Sequence, residues 1–156
     1  MCCSWLTSQV MNLEKINSPK DVPVPVRILV ADDHEVMRLG IRNLLEAIPH
    51  WTICAEASNG QEAIEKAAQY QPDIVIMDIT MPVMNGLEAS KVIAREQPDL
   101  PIVLFSLHLS DEMISNFDRD SIRGAVCKGD AARDLVDAIN QILAGGTFFP
   151  QKHAVS

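Results

Sequence analysis

Two acidic clusters that each follow a short apolar run constrain this chain more than any other feature. Asp78 ends the run at residues 74–77, and the pair Asp32 and Asp33 follows the run at residues 26–31. Short runs rich in valine and isoleucine are typical of strands that are buried on both faces of a parallel sheet. The carboxylates then lie at the carboxyl ends of strands, where open α/β sheets bind their ligands.

Carboxylates gathered at one edge of a sheet repel each other unless a cation neutralises them. If the two strands are neighbours, Asp32, Asp33 and Asp78 meet at the same edge. A set of ligands made only of oxygen atoms suits Mg²⁺ rather than zinc. The pattern therefore predicts a magnesium site.

Length and charge exclude several classes of protein. The 156 residues have room for one domain with a sizeable core. The net charge of −8 argues against direct DNA binding by this chain, which needs a basic surface. No apolar stretch is long enough to span a bilayer, so we expect no membrane insertion. The four cysteines are not spaced as metal ligands are, and they are too few for the disulfide framework of a secreted protein. We therefore expect reduced thiols, with Cys54 and Cys127 buried, and a cytoplasmic location.

The first 25 residues differ from the rest of the chain. Pro19, Pro23 and Pro25 remove backbone donors and disfavour helix, so residues 1–25 are predicted to be a disordered leader. Met11 is an alternative to Met1 as the start of translation. The predicted domain spans residues 26–150, and residues 151–156 form a tail or the start of a linker.

Strand-like and helix-like segments alternate from Val26 onward. The predicted strands are residues 26–31, 51–57, 74–77, 101–107 and 122–127. The predicted helices begin near His34, at Asn59-Gly60, at Leu87, at Ser110 or Asp111, and after Asp130 as a cap. Five βα units in about 120 residues predict an α/β fold with a doubly wound five-stranded parallel sheet and helices on both faces.

The apolar residues of these helices recur at helical spacing and are predicted to face the sheet. They are Val36, Leu39, Gly40, Leu44, Leu45 and Ile48 in the first helix, Ala63, Ile64, Ala67 and Ala68 in the second, Met113, Ile114 and Phe117 in the fourth, and Leu135, Val136, Ile139, Ile142 and Leu143 in the fifth.

Taken together, these motifs match a known family. The matching pieces are Ala31-Asp32-Asp33-His34, residues 77–86, Phe105-Ser106 and Lys128. The chain resembles the receiver domain of bacterial two-component response regulators over residues 26–150, which implies the flavodoxin-like strand order 2-1-3-4-5. His34, His108 and residues 144–147 look most like the NarL/FixJ-type (LuxR-type) subgroup. A helix-turn-helix DNA-binding domain usually follows in that subgroup, and we expect none within this chain.

The resemblance implies a role for each residue of the acidic cluster. Asp78 would accept a phosphoryl group from a phosphohistidine on a sensor histidine kinase. Asp33 and Asp78 would bind Mg²⁺ directly, Asp32 would bind it directly or through water, and the backbone carbonyl of Thr80 would complete the protein ligands. The protein would then be a signalling switch that catalyses only its own phosphorylation and dephosphorylation.

Two further residues would act on the phosphoryl group. Lys128 would offer its charge to one phosphoryl oxygen, and Ser106 would hydrogen-bond another. The movement of Ser106 would change the face formed by the fourth helix, fifth strand and fifth helix, to control an output such as transcription. The resemblance also implies homodimers, either through that face or through the first and fifth helices.

Each of these residues also has an ordinary structural role. Asp78 could simply end a strand, Asp32 and Asp33 could cap the following helix, Ser106 could be a satisfied core hydroxyl, and Lys128 could be solvated. Taken singly, each ordinary role is the commoner one. Their joint occurrence at the strand ends of one sheet favours the functional interpretation.

Two positions depart from the family pattern. Receivers often carry tyrosine or phenylalanine three residues before the lysine, where this chain has Ala125. Asp120-Ser121 stands where Ala-Gly is usual at the end of the fourth helix. We therefore expect signalling through movement of the fourth helix or through altered dimerisation.

Three alternative functions share features with this pattern. A phosphatase of the haloacid-dehalogenase type needs a second aspartate two residues after the nucleophile, where this chain has Thr80. A flavodoxin-like FMN carrier needs a hydroxyl-rich phosphate loop after the first strand, where Asp32 and Asp33 would repel phosphate. A stand-alone receiver acting only through protein–protein contacts stays open.

Overall fold

A five-stranded parallel sheet forms the centre of the molecule. The computed structural model describes residues 24–150. The strands are β1 (Val26–Ala31), β2 (Trp51–Ala57), β3 (Ile74–Asp78), β4 (Ile102–Ser106) and β5 (Ile122–Cys127). Their order in the sheet is β2-β1-β3-β4-β5, and every pair is parallel. The predicted fold class and strand order are thereby confirmed. The predicted leader, apart from Val24 and Pro25, and the predicted tail lie outside the described residues.

Helices connect the strands and cover both faces of the sheet. They are α1 (Glu35–Glu46), α2 (Gly60–Tyr70), α3 (Gly86–Glu96), α4 (Asp111–Ser115) and α5 (Ala131–Leu143), and a short 3₁₀ helix occupies Lys128–Asp130. Buried residues of α1 and α5 pack on one face of the sheet, and those of α2, α3 and α4 pack on the other. Within the described residues, no helix is both long and apolar enough to cross a membrane.

Strand residues alternate between the two cores because successive side chains point to opposite faces. Ile28 and Ile76 face the α1–α5 side, whereas Leu29 and Met77 face the α2–α4 side. All four are fully buried. The valine- and isoleucine-rich runs therefore reflect strands covered on both faces, as predicted.

The prediction that Val36 and Leu39 face the sheet was wrong. Their exposed fractions are 83% and 56%, whereas Ile41 and Leu45 are buried. At about 100° per residue, Leu39 lies about 160° around the helix from Ile41, so both cannot face the core. These exposed side chains lie on the first two turns of α1, next to the acidic cluster in sequence.

The structure also differs from the predictions at several other helix residues and at two cysteines. Gly40 and Ala68 are exposed, and Leu143 at the end of α5 is 38% exposed. Asp130 precedes α5, but its side chain makes no capping hydrogen bond because its backbone angles, φ −107° and ψ 10°, are not the extended ones of a cap. Cys54 and Cys127 are only partly buried.

One glycine fixes the loop after β3 against the end of that strand. A Cβ atom on Gly86 would lie 1.9 Å from the backbone oxygen of Asp78, so no other residue fits without a shift. The Gly86 amide donates a hydrogen bond to the Ile79 carbonyl at 2.8 Å. This contact places the start of α3 directly behind the acidic cluster.

Candidate functional site

The register of β1 and β3 brings two buried carboxylates together. Ala31 pairs with Met77 across these neighbouring strands, so the residues that follow, Asp32 and Asp78, lie side by side. Asp32 is 0% exposed and Asp78 is 3% exposed. Two buried acids this close repel each other unless a positive charge lies near them.

Lys128 supplies that positive charge from the end of β5. Its Nζ atom lies 2.7 Å from Asp32 Oδ2 and 3.1 Å from Asp78 Oδ2, and its side chain is only 5% exposed. The ammonium also lies 5.7 Å from the centre of the Phe105 ring. One buried cation is therefore shared between two buried carboxylates.

The pKa values of the site reflect burial and the shared charge. Burial raises the pKa of Asp78 and the Asp32 charge adds to this, although the hydrogen bond from Lys128 opposes it. Burial alone would lower the pKa of Lys128, but the hydrogen bonds and charges of Asp32 and Asp78 outweigh it and raise the value. Lys128 therefore stays protonated beside the two carboxylates.

Asp33 and His34 form the open side of the cluster. The Asp33 side chain is 30% exposed, and the imidazole of His34, 71% exposed, has its Nδ1 atom 3.0 Å from Asp33 Oδ1 and 3.3 Å from Asp32 Oδ1. The backbone amide of His34 donates to Asp32 Oδ1 at 2.9 Å. Solvent and ligands can reach the cluster from this side.

The donor set fits a divalent cation. One potential ligand atom from each of Asp32, Asp33, His34 and Asp78 lies within 4.8 Å of the others. Three carboxylates beside an opening to solvent are also the chemistry that Mg²⁺ prefers, because it keeps several water ligands.

Thr80 and Ser106 occupy different positions relative to the cluster. The backbone amide of Thr80 donates to Asp78 Oδ1 at 3.3 Å and so orients that carboxylate. The Ser106 hydroxyl instead donates to the carbonyl of His108 at 3.2 Å and accepts from the His108 amide at 3.4 Å. The structure thus gathers Asp32, Asp33, Asp78 and Lys128, while Ser106 bonds to the loop after β4.

Two residues at the site were not assigned a part from the sequence. His34 lies within the potential metal cluster, and its position next to the acidic pair was the available signal. Arg38, one turn into α1, donates from Nη1 to the Asp32 carbonyl at 2.6 Å and reaches Glu56 with Nε at 3.5 Å. No sequence pattern marked Arg38, because it contacts the Asp32 backbone and the distant Glu56 side chain.

Known proteins share the sequence pattern of the domain that carries this site. The family profile described as "Response regulator receiver domain" matches residues 28–140. The chain belongs to the response regulator receiver family. It is 35% identical over 121 residues to the nitrate/nitrite response regulator protein NarL of Escherichia coli K12, covering 78% of this chain and 56% of that protein. It is 34% identical over 120 residues to the response regulator UvrY of the same strain, covering 77% and 55%.

Solved structures give the same result. A LuxR-family two-component response regulator from Aurantimonas sp. SI85-9A1 is similar with a TM-score of 0.75 at 34% identity, over 80% of this chain and 89% of that chain. The non-phosphorylated receiver domain of RcsB from Escherichia coli has a TM-score of 0.75 at 27% identity, over 81% and 99%. The resemblance to the LuxR/NarL-type subgroup is confirmed. The chain spans about half the length of the curated relatives it matches.

Proposed function

We propose that this receiver is a phospho-accepting switch in which Asp78 takes a phosphoryl group from a phosphohistidine on a sensor histidine kinase. The observation that carries the proposal is the meeting of Asp32, Asp78 and Lys128 within 3.1 Å contacts, with Asp33 beside them at the solvent edge. A carboxylate needs no deprotonation to attack at neutral pH. A bond forms between an Asp78 oxygen and phosphorus as the bond from phosphorus to the imidazole nitrogen breaks.

Charge neutralisation is the main task of the residues around Asp78. Asp33, Asp78 and the Thr80 carbonyl would hold Mg²⁺, with Asp32 as a direct or water-mediated ligand. The ion would neutralise charge on the phosphoryl oxygens. Lys128 is already buried at Asp78 Oδ2, where its ammonium can pair with a phosphoryl oxygen. The Thr80 amide keeps Asp78 Oδ1 oriented during the transfer.

Ser106 supplies the link from phosphorylation to the rest of the molecule. Its hydroxyl would leave the His108 carbonyl and donate to a phosphoryl oxygen, and this would pull the loop between β4 and α4 toward the site. Ala125 is fully buried and has no rotamer to switch, so the response falls on α4 and its neighbours rather than on an aromatic ring at that position. The chain acts in this scheme as a signalling protein that catalyses only its own phosphorylation and dephosphorylation.

The partners follow from the same proposal. They are a sensor histidine kinase and a second copy of the chain, paired through the α4–β5–α5 face or through α1 and α5. The output is control of transcription, exerted through a further domain or a partner protein. The receiver acts in the cytoplasm. With a net charge of −8, the 156-residue chain should show no sequence-selective binding to duplex DNA at physiological salt.

Phosphorylation with acetyl phosphate and Mg²⁺ tests the proposal. Intact-mass measurement should show one phosphoryl group on the wild-type chain, none on Asp78→Asn, and one on the control Asp99→Asn, whose side chain is exposed. Chelation of Mg²⁺ should abolish the wild-type modification. Labelling that persists in Asp78→Asn would overturn the assignment.

A further inference from the structure

The last described residues form a strap along the open edge of β5. We use strap for residues 147–150. Phe148 pairs in parallel with Gly124: the Ala125 amide donates to the Phe148 carbonyl at 2.8 Å, and the Phe148 amide donates to the Arg123 carbonyl at 3.0 Å. An uncovered edge strand is a template for pairing with another chain. The strap therefore closes backbone groups that would otherwise be open to a partner.

The β5 edge fits closely around the strap. A Cβ atom on Gly124 would lie 2.8 Å from the Phe148 carbonyl oxygen and 2.7 Å from Ile142 Cδ1 of α5. Glycine at this position lets the strap and α5 approach the strand at the same point. The strap is thus packed against β5 and α5 at Gly124.

Arg119 joins the strap to α4. Its guanidinium carbon lies 3.8 Å from the centre of the Phe149 ring, a cation–π geometry. The same side chain donates from Nη2 to the Ile114 carbonyl in α4 at 3.2 Å. Phe149 itself is partly buried against the core cluster that contains Ile114, Phe117 and Ala125. One side chain therefore contacts both α4 and the strap.

We propose that Arg119 couples the strap to α4, so that a shift of α4 weakens the closure of the β5 edge. The guanidinium contacts both the Ile114 carbonyl and the Phe149 ring. When α4 moves, one of these contacts is lost, and the strap keeps only its pairing with β5 and the packing of Phe148 and Phe149 against the core. The inference rests on the proposed function for its trigger, which is occupation of the site at Asp78.

The coupling has a consequence for partners. Release of the strap would free the Arg123 carbonyl and the Ala125 amide on the α4–β5–α5 face. A second copy of the chain could then pair along an edge that the strap covers in the resting protein. Because coupling between sites is reciprocal, a partner that displaces the strap would also favour the shifted α4.

The first experiment measures the coupling without any phosphoryl group. Amide hydrogen exchange at Ala125 and Phe148 is followed by NMR in the 156-residue chain, in Arg119→Gln, in Phe149→Leu and in the double variant. Each single variant should exchange roughly two- to fivefold faster, as loss of one exposed cation–π contact implies. The double variant should be no faster than the singles. Phe149→Tyr keeps the ring and should match the wild type, as should Arg95→Gln, which removes an exposed arginine from α3.

Several results of these exchange measurements would contradict the coupling. Effects that add in the double variant, or exchange at Ala125 and Phe148 that does not respond to Arg119→Gln, would overturn the coupling. A fast rate in Phe149→Tyr would do the same, because the aromatic ring would then not be the group that matters. Arg119 is exposed, so its replacement should leave the fold intact.

The second experiment adds beryllofluoride and Mg²⁺, with ¹⁹F NMR as an independent measure of binding. Bound beryllofluoride should raise exchange at Ala125 and Phe148 in the wild type, and should add nothing in Arg119→Gln. Binding without any change at the strap would overturn the proposed trigger while leaving the phospho-accepting function intact. Absence of binding would instead count against the proposed function, and the first experiment would still judge the coupling itself.

Discussion

The helices α2 and α4 begin in the same way but are held to the molecule very differently. Asn59 accepts a hydrogen bond from the Glu62 amide at the start of α2, and Ser110 accepts one from the Met113 amide at the start of α4. Helix α2 then runs for 11 residues, whereas α4 runs for only 5. A side-chain cap therefore fixes where a helix starts, but not how firmly it is held.

Burial accounts for the difference. Along α2, Ala63 and Ala67 are buried in the core against the sheet and Gly60 is buried against Met84, whereas Ile114 is the only buried residue within α4. Small buried residues bring α2 close to the strands along most of its length. The α4 segment lies between the loop of Ser106 and the strap, and it has the fewer contacts to break. Lightly packed elements of this kind are the ones that change conformation.

The largest expected effect comes from crowding the start of α2. A Cβ atom on Gly60 would lie 2.5 Å from the Met84 carbonyl oxygen, to which the Gly60 amide already donates at 3.0 Å. Overpacking of this kind costs about 1–3 kcal/mol, so Gly60→Ala should lower the free energy of unfolding by that amount in urea.

Gly40→Ala is the matched control, because nothing lies within 4 Å of its Cβ position in α1. It should stabilise the protein by about 0.5–1 kcal/mol. Equal changes in the free energy of unfolding for Gly60→Ala and Gly40→Ala would show that the start of α2 is not tightly packed.

Removing each cap compares the two helices directly. Asn59→Ala should cost about 1 kcal/mol of global stability, because α2 unfolds only together with the core. Ser110→Ala removes the same type of bond, but α4 can open locally, so the global free energy of unfolding should change less. Amide exchange should instead rise around Met113 and Ile114. If both variants lower the urea midpoint equally, α4 is as much a part of the cooperative core as α2.

Occupation of the phosphoryl site should produce the next effect. With beryllofluoride and Mg²⁺, we expect altered exchange in residues 107–119 and in the loop after Asp78, because Ser106 would exchange its His108 partner for a phosphoryl oxygen. Residues 51–70, which include α2, should change little. Mass spectrometry of peptides from both regions measures this. Changes confined to the loop beside Asp78 would mean that the receiver binds the phosphoryl mimic without transmitting it.

The sequence predicted the parts of the fold that depend on local pattern. Runs such as residues 74–77 and 122–127 have the composition of strands that are buried on both faces of a sheet. The carboxyl ends of neighbouring parallel strands lie next to each other. For that reason the approach of Asp32 to Asp78 could be expected. The place of Lys128 at the site followed from the family resemblance, but its contacts with both carboxylates did not. Whether these residues carry out phosphoryl transfer stays a prediction.

Other features depend on contacts that no local pattern encodes. The Ser106 hydroxyl turns to His108 because the loop after β4 folds back on it. The sequence predicts residues 147–150 only as the end of the domain, because Gly124, the pairing partner of Phe148, lies far away in sequence. Apolar spacing in α1 selected Val36 wrongly, because an exposed apolar residue on an amphipathic helix looks the same in sequence as a buried one.

The smallest expected effect is the part of the pH dependence of stability that Glu62 of α2 contributes. The Ser58 amide donates to the Glu62 carboxylate at 3.1 Å, and this bond lowers the pKa of Glu62 although burial opposes it. A folded pKa below the unfolded one means that the stabilisation is present above the unfolded value and is lost as pH falls through the folded value. The effect should be small, because the Glu62 side chain is 40% exposed and solvent screens its charge. Urea unfolding measured from neutral pH down into the acid range should therefore show a loss of stability that is slightly smaller in Glu62→Gln than in the wild type. Glu65→Gln, an exposed position on the same helix, should keep the wild-type profile. An unchanged profile in Glu62→Gln would mean that Asn59 alone holds the start of α2, as Ser110 does for α4.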